Sequence, residues 1–340
     1  MSVYLRAIRY WLPQQCRTNE DLVRLNPTWR ADAIYAKTGI RSRPVAAEDE
    51  TAADLGYQAA VRLLEELPFE RERIDALLFC TQSPDYVLPT TACLLQSRLK
   101  LRDTCGAFDF NLGCSGFTYG LWVAAALVTS GAAENVLLVV GETYSKYCSL
   151  HDLTTVTIFG DGAAAALITS RETDAAALLG PTVVGTDGRG AEQLIVRAGG
   201  ARQRATRCSL PPGPEAAQGQ CRAEHLAMNG PEIFTFTLAR VQTAIQQLLE
   251  RIGLDWNDVD WFLFHQANRF MLEQLRKKMA IPAEKVPIDM ETLGNTVSAT
   301  IPILIARCQE RSQFRPGQHC VLAGFGVGYS WAMSYLRWLN

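Results

Sequence analysis

The chain has 340 residues, 48% of them apolar and 20% charged, enough for one large or two tightly packed α/β units; a small disulfide scaffold and a disordered chain are both excluded. With 33 basic against 35 acidic residues the net charge is -2, so no bulk field argues for nucleic acid or an anionic membrane as partner. The start, Met1-Ser2-Val3-Tyr4-Leu5-Arg6, lacks an apolar signal core and no uncharged stretch reaches membrane-spanning length, so a cytoplasmic protein is expected.

Ten cysteines are scattered without a CxxC pair, several inside apolar runs. This is the usage of a reduced chain whose thiols mostly pack as small hydrophobes. From Glu50 to Leu67 the spacing predicts a helix with an acidic start, followed by Arg73 to Gln82, whose apolar centre Leu77-Leu78-Phe79-Cys80 suits a buried strand. A second strand, Phe108-Asp109-Phe110-Asn111-Leu112, runs into Gly113-Cys114-Ser115-Gly116, and a helix begins directly after it. Cys114 is therefore expected at a helix N-terminus, where the dipole and free N–H groups favour thiolate over thiol and make a nucleophile at neutral pH. On position alone a buried structural cysteine is the equal alternative, because Cys80, Cys93 and Cys320 also adjoin apolar strands.

Asn135 to Gly141 predicts another strand, and Phe159-Gly160-Asp161-Gly162 is a glycine run without the spacing of a nucleotide fingerprint. Arg197 to Ala227, with Pro211-Pro212-Gly213-Pro214 and no hydrophobic period, reads as an exposed excursion. After it the first half is echoed. Val241 to Ile252 has helical periodicity, and Asp258 to Gln266 reproduces the strand of Arg73 to Gln82 and ends by delivering His265 to the sheet rim. Arg269 to Met279 is a helix, Ile288 to Asn295 echoes Phe108 to Cys114, and His319 to Gly324 echoes Asn135 to Gly141. Three echoes in one order, at offsets of roughly 180 to 185 residues, predict an internal duplication of two βαβαβ halves whose strand ends share one site.

Gly294-Asn295-Thr296-Val297-Ser298 falls where the first half places Cys114. The Asn295 amide there is either a donor to an oxygen that becomes negative in a transition state or the N-cap of a helix over 296–307. Gly324-Phe325-Gly326-Val327-Gly328 suits close backbone approach, or N–H groups aimed at an oxyanion.

In order, Lys37-Thr38-Gly39-Ile40-Arg41, Gly113-Cys114-Ser115-Gly116-Phe117, Phe159-Gly160-Asp161-Gly162, His265-Gln266-Ala267-Asn268, Gly294-Asn295-Thr296 and Gly324-Phe325-Gly326-Val327-Gly328 closely resemble the β-ketoacyl-acyl-carrier-protein synthase III family, over nearly the whole chain. The resemblance implies a thiolase-like α/β fold of five αβαβα layers, with halves at 1–172 and 173–340, assembled as a homodimer. It implies that Cys114 takes an acyl group from a thioester, while His265 and Asn295 hydrogen-bond the carbonyl of a malonyl thioester and stabilise the enolate left by loss of carbon dioxide. The N–H groups of Cys114 and of a residue near Val327 would form the oxyanion hole beside Gly326, Phe325 would pack against the site, and Leu88 would line the acyl tunnel across the dimer interface. No metal and no bound organic cofactor is implied, since acyl and malonyl thioesters of acyl carrier protein or coenzyme A are the substrates.

Related subfamilies separate on the same positions. Thiolases carry a second catalytic cysteine near the last glycine run, absent here, and chalcone-synthase-like enzymes have His-Pro-Gly where this chain has His265-Gln266-Ala267. The alternatives are an acyltransferase that uses acyl-Cys114 to modify an alcohol or amine without decarboxylation, and a catalytically silent dimer partner. The coenzyme A grip departs from the family pattern. Ala33, Lys37 and Leu153 stand at the adenine clamp, Pro231 replaces an Asn by the pantetheine tunnel, and Thr235 and Phe270 replace a basic pair. A specialised enzyme loaded from an acyl carrier protein is therefore expected, docked on Arg269, Arg276, Lys277 and Lys278; a solvated helix face is the alternative for these four.

Overall fold

The apolar runs at 76–80 and 135–142 are wholly buried, which is why they are central strands rather than amphipathic edges. The computed structural model describes residues 1–204 and 223–340; the excursion expected from Arg197 to Ala227 lies largely outside them. The strands are β1 (Val3–Trp11), β2 (Cys16–Thr18), β3 (Ser42–Pro44), β4 (Ala76–Cys80), β5 (Gly106–Phe110), β6 (Asn135–Glu142), β7 (Gly162–Thr169), β8 (Ala177–Thr186), β9 (Leu194–Ile195), β10 (Ala227–Met228), β11 (Trp261–Phe264), β12 (His319–Gly326) and β13 (Ser330–Trp338). The helices are α1 (Asn19–Leu25), α2 (Ala31–Thr38), α3 (Ala52–Glu66), α4 (Thr91–Arg98), α5 (Gly116–Thr129), α6 (Leu153–Val156), α7 (Gly230–Ile252), α8 (Arg269–Lys278) and α9 (Thr300–Glu310).

One mixed sheet runs β11-β12-β13-β8-β1-β7-β6-β4-β5. Outward from the central β8–β1 pair, both sides read alike. β1, β7 and β6 are antiparallel neighbours and β6 pairs parallel with β4; β8, β13 and β12 are antiparallel neighbours and β12 pairs parallel with β11. The join is short, Val3 to Leu5 against Leu179 to Ala177. The echo of β5 at Ile288 to Asn295 is not a strand. Its backbone is engaged elsewhere: Asp289 N–H donates to Gln266 Oε1, Arg41 N–H donates to the Glu291 carbonyl, and Asn295 N–H donates to the Ile158 carbonyl.

Alternation along the strands sorts side chains into separate cores. Leu77, Phe79, Leu137 and Val139 pack with Leu55 and Leu63 of α3 and Leu95 of α4. On the other face Leu78, Cys80, Leu138 and Val140 meet Phe117 and Leu121 of α5 and Ile301 and Ile305 of α9, together with Leu263, Leu322 and Leu336 of the opposite side. A third core sets Val241, Ile245 and Leu248 of α7 and Leu272 and Leu275 of α8 against Phe262, Phe264 and Val321. The layers are thus α, β, α, β, α, with α5 and α9 in the middle, as expected.

Caps place the helix starts. Thr51 and Asp54 form a capping box that begins α3 at Ala52. α7 starts about three turns before its periodic stretch because Asn229 accepts the N–H of Glu232 and Pro231 sits in the first turn.

Candidate active site

Cys114 lies between the end of β5 and the start of α5, in a turn closed by the Gly116 N–H donating to the Gly113 carbonyl at 2.7 Å. The backbone of β12 presses on it: a Cβ at Gly326, whose φ is +158°, would stand 2.8 Å from Cys114 Cβ and 2.9 Å from Sγ, so only glycine fits. The Val327 N–H and the residue's own N–H face the thiol and lower its pKa, but burial prevails and pushes it up to about 12. Burial thus works against the thiolate expected at this helix N-terminus. A helix N-terminus and two amides do not repay full desolvation of an anion here.

His265 follows β11 directly, held by its N–H donating to the Ala323 carbonyl at 2.9 Å. Its Nδ1 is 2.7 Å from Thr300 Oγ1, and Phe325 meets the ring edge-on at 5.8 Å. Burial lowers its pKa to about 3, with the Val297 carbonyl opposing, so the imidazole is neutral.

Asn295 does not cap α9, which begins at Thr300 after a short 3-10 turn. Its Oδ1 accepts the Val297 N–H at 2.9 Å, which fixes the amide orientation and turns Nδ2 toward His265 Nε2, 3.5 Å away. The loop bearing it is tightly bound. Gly294 has φ +62° and its Cβ would stand 2.7 Å from the Ile158 carbonyl, Asn295 bridges to Phe159, and β-branched Val297 is held at φ +54°.

Cys114, His265, Asn295, Phe325 and Gly326 share the wall of one cavity of about 950 Å³, which Ile34, Leu194, Met228, Ile233 and Phe234 also line. Its exposed end carries Trp29, Arg30, Ala33, Lys37, Leu153, Pro231 and Phe270. Val327 contributes only its backbone N–H. Leu88 is elsewhere: it is 79% exposed, beside Tyr86 and Val87, and does not line the cavity of its own chain. Thr235 is exposed on α7, and Phe270 stacks on Phe234 at 5.6 Å.

The basic group on α8 is partly committed. Arg269 bonds the Tyr35 hydroxyl and pairs with Glu291, Arg276 binds Glu273 at 2.7 Å, and Lys278 donates to the Leu238 carbonyl, while Lys277 is exposed. Asp161 of the Phe159-Gly160-Asp161-Gly162 run accepts the N–H groups of Ala46 and Ser145 and so ties loops together.

Three residues near the site escape a sequence reading. Glu142 is buried at the end of β6, with its pKa raised to about 8 by desolvation; the available signal was an acid close behind the apolar run Val136 to Val140. Thr300 sits behind His265, and Trp29 brings an aromatic ring to the cavity mouth. Neither carries a local signal.

Comparison with known proteins gives the family. Residues 108–188 match the family described as 3-oxoacyl-[acyl-carrier-protein] synthase III, and residues 249–338 match its C-terminal part. A β-ketoacyl-[acyl-carrier-protein] synthase III of Streptomyces coelicolor is 36% identical over 96% of this chain and 94% of its own length. A crystal structure of a 3-oxoacyl-(acyl-carrier-protein) synthase III superposes with TM-score 0.93 at 46% identity, covering 99% of this chain and 100% of the other. A 3-oxoacyl-(acyl-carrier-protein) synthase of Burkholderia xenovorans gives TM-score 0.89 at 36% identity, covering 100% of this chain and 95% of the other. The chain belongs to the 3-oxoacyl-[acyl-carrier-protein] synthase III family of condensing enzymes.

Proposed function

We propose that the protein catalyses a decarboxylative Claisen condensation in which Cys114 is the acyl carrier and His265 and Asn295 bind the malonyl thioester. The observation that carries this reading is the convergence of the three side chains on one cavity, with Nε2 of His265 and Nδ2 of Asn295 3.5 Å apart. Cys114 sulfur attacks the donor thioester carbonyl, and the donor thiol leaves with a proton. The malonyl thioester then loses carbon dioxide, and the electron pair of the broken C–C bond delocalises onto its thioester oxygen, held between Nε2–H and Nδ2–H. The resulting carbanion attacks the acyl-Cys114 carbonyl, whose oxygen lies toward the N–H groups of Cys114 and Val327. Collapse expels the Cys114 thiolate, which takes up a proton from water to restore the thiol, and releases a 3-oxoacyl thioester. Neutral groups suit this work, since a neutral imidazole and an amide can donate to a developing enolate without first losing a buried charge.

An acyl carrier protein is the proposed donor and acceptor partner. Ala33, Lys37 and Leu153 line the exposed end of the cavity at the positions of the family's adenine clamp, with Trp29 and Arg30 beside them. Lys277 and its neighbours on α8 would meet the acidic carrier. A homodimer is the proposed assembly, supported by the exposure of Tyr86, Val87 and Leu88 and of Phe108 on the terminal strand β5, apolar surface that a second copy would cover, bringing Leu88 to the partner's acyl tunnel.

The test is intact-protein mass spectrometry of the wild type and Cys114→Ala with acyl-CoA and acyl-carrier-protein panels, with and without a malonyl thioester. A mass gain confined to the wild type, discharged with carbon dioxide release, is the expected result. Discharge without carbon dioxide would favour simple acyl transfer.

A further inference from the structure

A buried hydroxyl lies behind the imidazole. Thr300 opens α9, its Oγ1 is 2.7 Å from His265 Nδ1, and the same oxygen is 3.0 Å from the Val297 carbonyl oxygen. A neutral imidazole has one proton for two nitrogens, and the partner of one nitrogen decides which of them holds it. A carbonyl can only accept, whereas a hydroxyl accepts or donates. With its proton turned to Val297, Oγ1 accepts from Nδ1–H, and Nε2 is a bare acceptor facing Asn295 Nδ2. With its proton turned onto Nδ1, the ring proton sits on Nε2, and Nε2–H and Nδ2–H stand side by side as two donors.

We propose that Thr300 is a positioning residue whose hydroxyl allows His265 to carry its proton on Nε2, so that the ring can donate to the thioester oxygen during decarboxylation. Two further observations bear on it. The Val297 carbonyl oxygen lies 3.0 Å from Oγ1 on that side of the ring, so once the hydroxyl is removed the polar group left there is one that can only accept, which favours the proton on Nδ1. Asn295 cannot turn to compensate, because its Oδ1 is held by the Val297 N–H. The proposal rests on the reading of His265 as a donor to substrate.

The chain has only four histidines, so 15N-histidine spectra can be read directly, with His265→Gln identifying the relevant signals. The full-length protein is examined with a malonamide analogue of malonyl-pantetheine, whose oxygen accepts hydrogen bonds but whose amide does not transfer. The wild type and Thr300→Ser are expected to show Nε2 protonated, and Thr300→Val and Thr300→Ala to show Nδ1 protonated. In parallel, Cys114 acylation should stay within about twofold in all variants, while kcat for malonyl decarboxylation falls about 100-fold in Thr300→Val with KM little changed, and recovers in Thr300→Ser. An Nε2-protonated ring in Thr300→Val, or Thr300→Ser as defective as Thr300→Val, overturns the proposal, the latter by showing that packing alone matters. Failure of the condensing reading is seen separately, as a wild type that acylates Cys114 and releases no carbon dioxide.

Discussion

Ser298 donates from Oγ to Oε1 of Glu142 at 3.1 Å, joining the loop that carries Asn295 to the last residue of β6. The same carboxyl accepts the Gln82 N–H and the Ser83 hydroxyl. These donors favour the anion, yet full burial outweighs them and raises the pKa from 4.5 to about 8.

Stability should therefore depend on pH through Glu142. Because the folded-state pKa is raised, the protonated carboxyl is favoured by folding; this contribution is complete below about pH 4.5 and is lost as pH rises through 8. Unfolding free energies of the wild type and Glu142→Gln, compared at pH 5 and pH 8.5, should diverge by on the order of a few kcal/mol, the wild type losing more at the higher pH. Parallel pH curves for the two proteins would show that Glu142 does not titrate in this window.

Cys114 should be a sluggish free thiol. With its pKa at about 12, alkylation by iodoacetamide at pH 7.5 is expected to be at least about tenfold slower than at exposed Cys16, and still rising at pH 9.5. Site-resolved mass spectrometry of timed samples reads both rates. A rate that levels off below pH 8 would mean that the helix N-terminus overcomes burial after all.

Gly326→Ala should damage acylation more than folding. The added methyl would stand within 3 Å of both Cβ and Sγ of Cys114, whereas at Gly188 a Cβ meets nothing within 4 Å. We expect about a 100-fold loss in the acylation rate and a destabilisation of about 1–3 kcal/mol, with Gly188→Ala as the benign control. Normal acylation in Gly326→Ala would require the backbone to move away from the nucleophile.

Asn295→Ala should separate the two half-reactions. Removing Nδ2–H deletes one of the two enolate donors, so carbon dioxide release is expected to fall about 100-fold or more while acyl-Cys114 still forms. Quench-flow mass spectrometry with radiolabelled malonyl thioester measures both. Condensation at the normal rate would remove Asn295 from the mechanism.

Lys277→Glu should raise KM for carrier-bound donors severalfold, and less so at high salt, without changing KM for small thioester mimics. Equal effects on both substrates would locate the defect in the cavity rather than on the docking face.

Much of the site was legible because its signals are local. Cys114 between a strand and a helix, His265 at the end of an apolar strand and Asn295 after a glycine each follow from a short window of residues, and the duplication predicted that strand ends from both halves meet. Glu142, Ser298 and Thr300 were not legible in the same way, since their importance lies in contacts made across 35 to 156 positions of sequence. The expected echo of β5 over Ile288 to Asn295 failed for a related reason. Its backbone groups are claimed by Gln266 and the loops at 41–42 and 158–160, competitors that no local pattern reveals.

The sequence by itself determined which side chains are available for chemistry and which layers the chain can build, because apolar periodicity and glycine placement act over a few residues. Only the tertiary structure decided the protonation states of Cys114, His265 and Glu142 and the direction in which Asn295 points. Desolvation is set by every atom packed around a group, and an amide's orientation by whichever partner occupies its oxygen. Both are properties of the assembled cavity rather than of any segment of the chain.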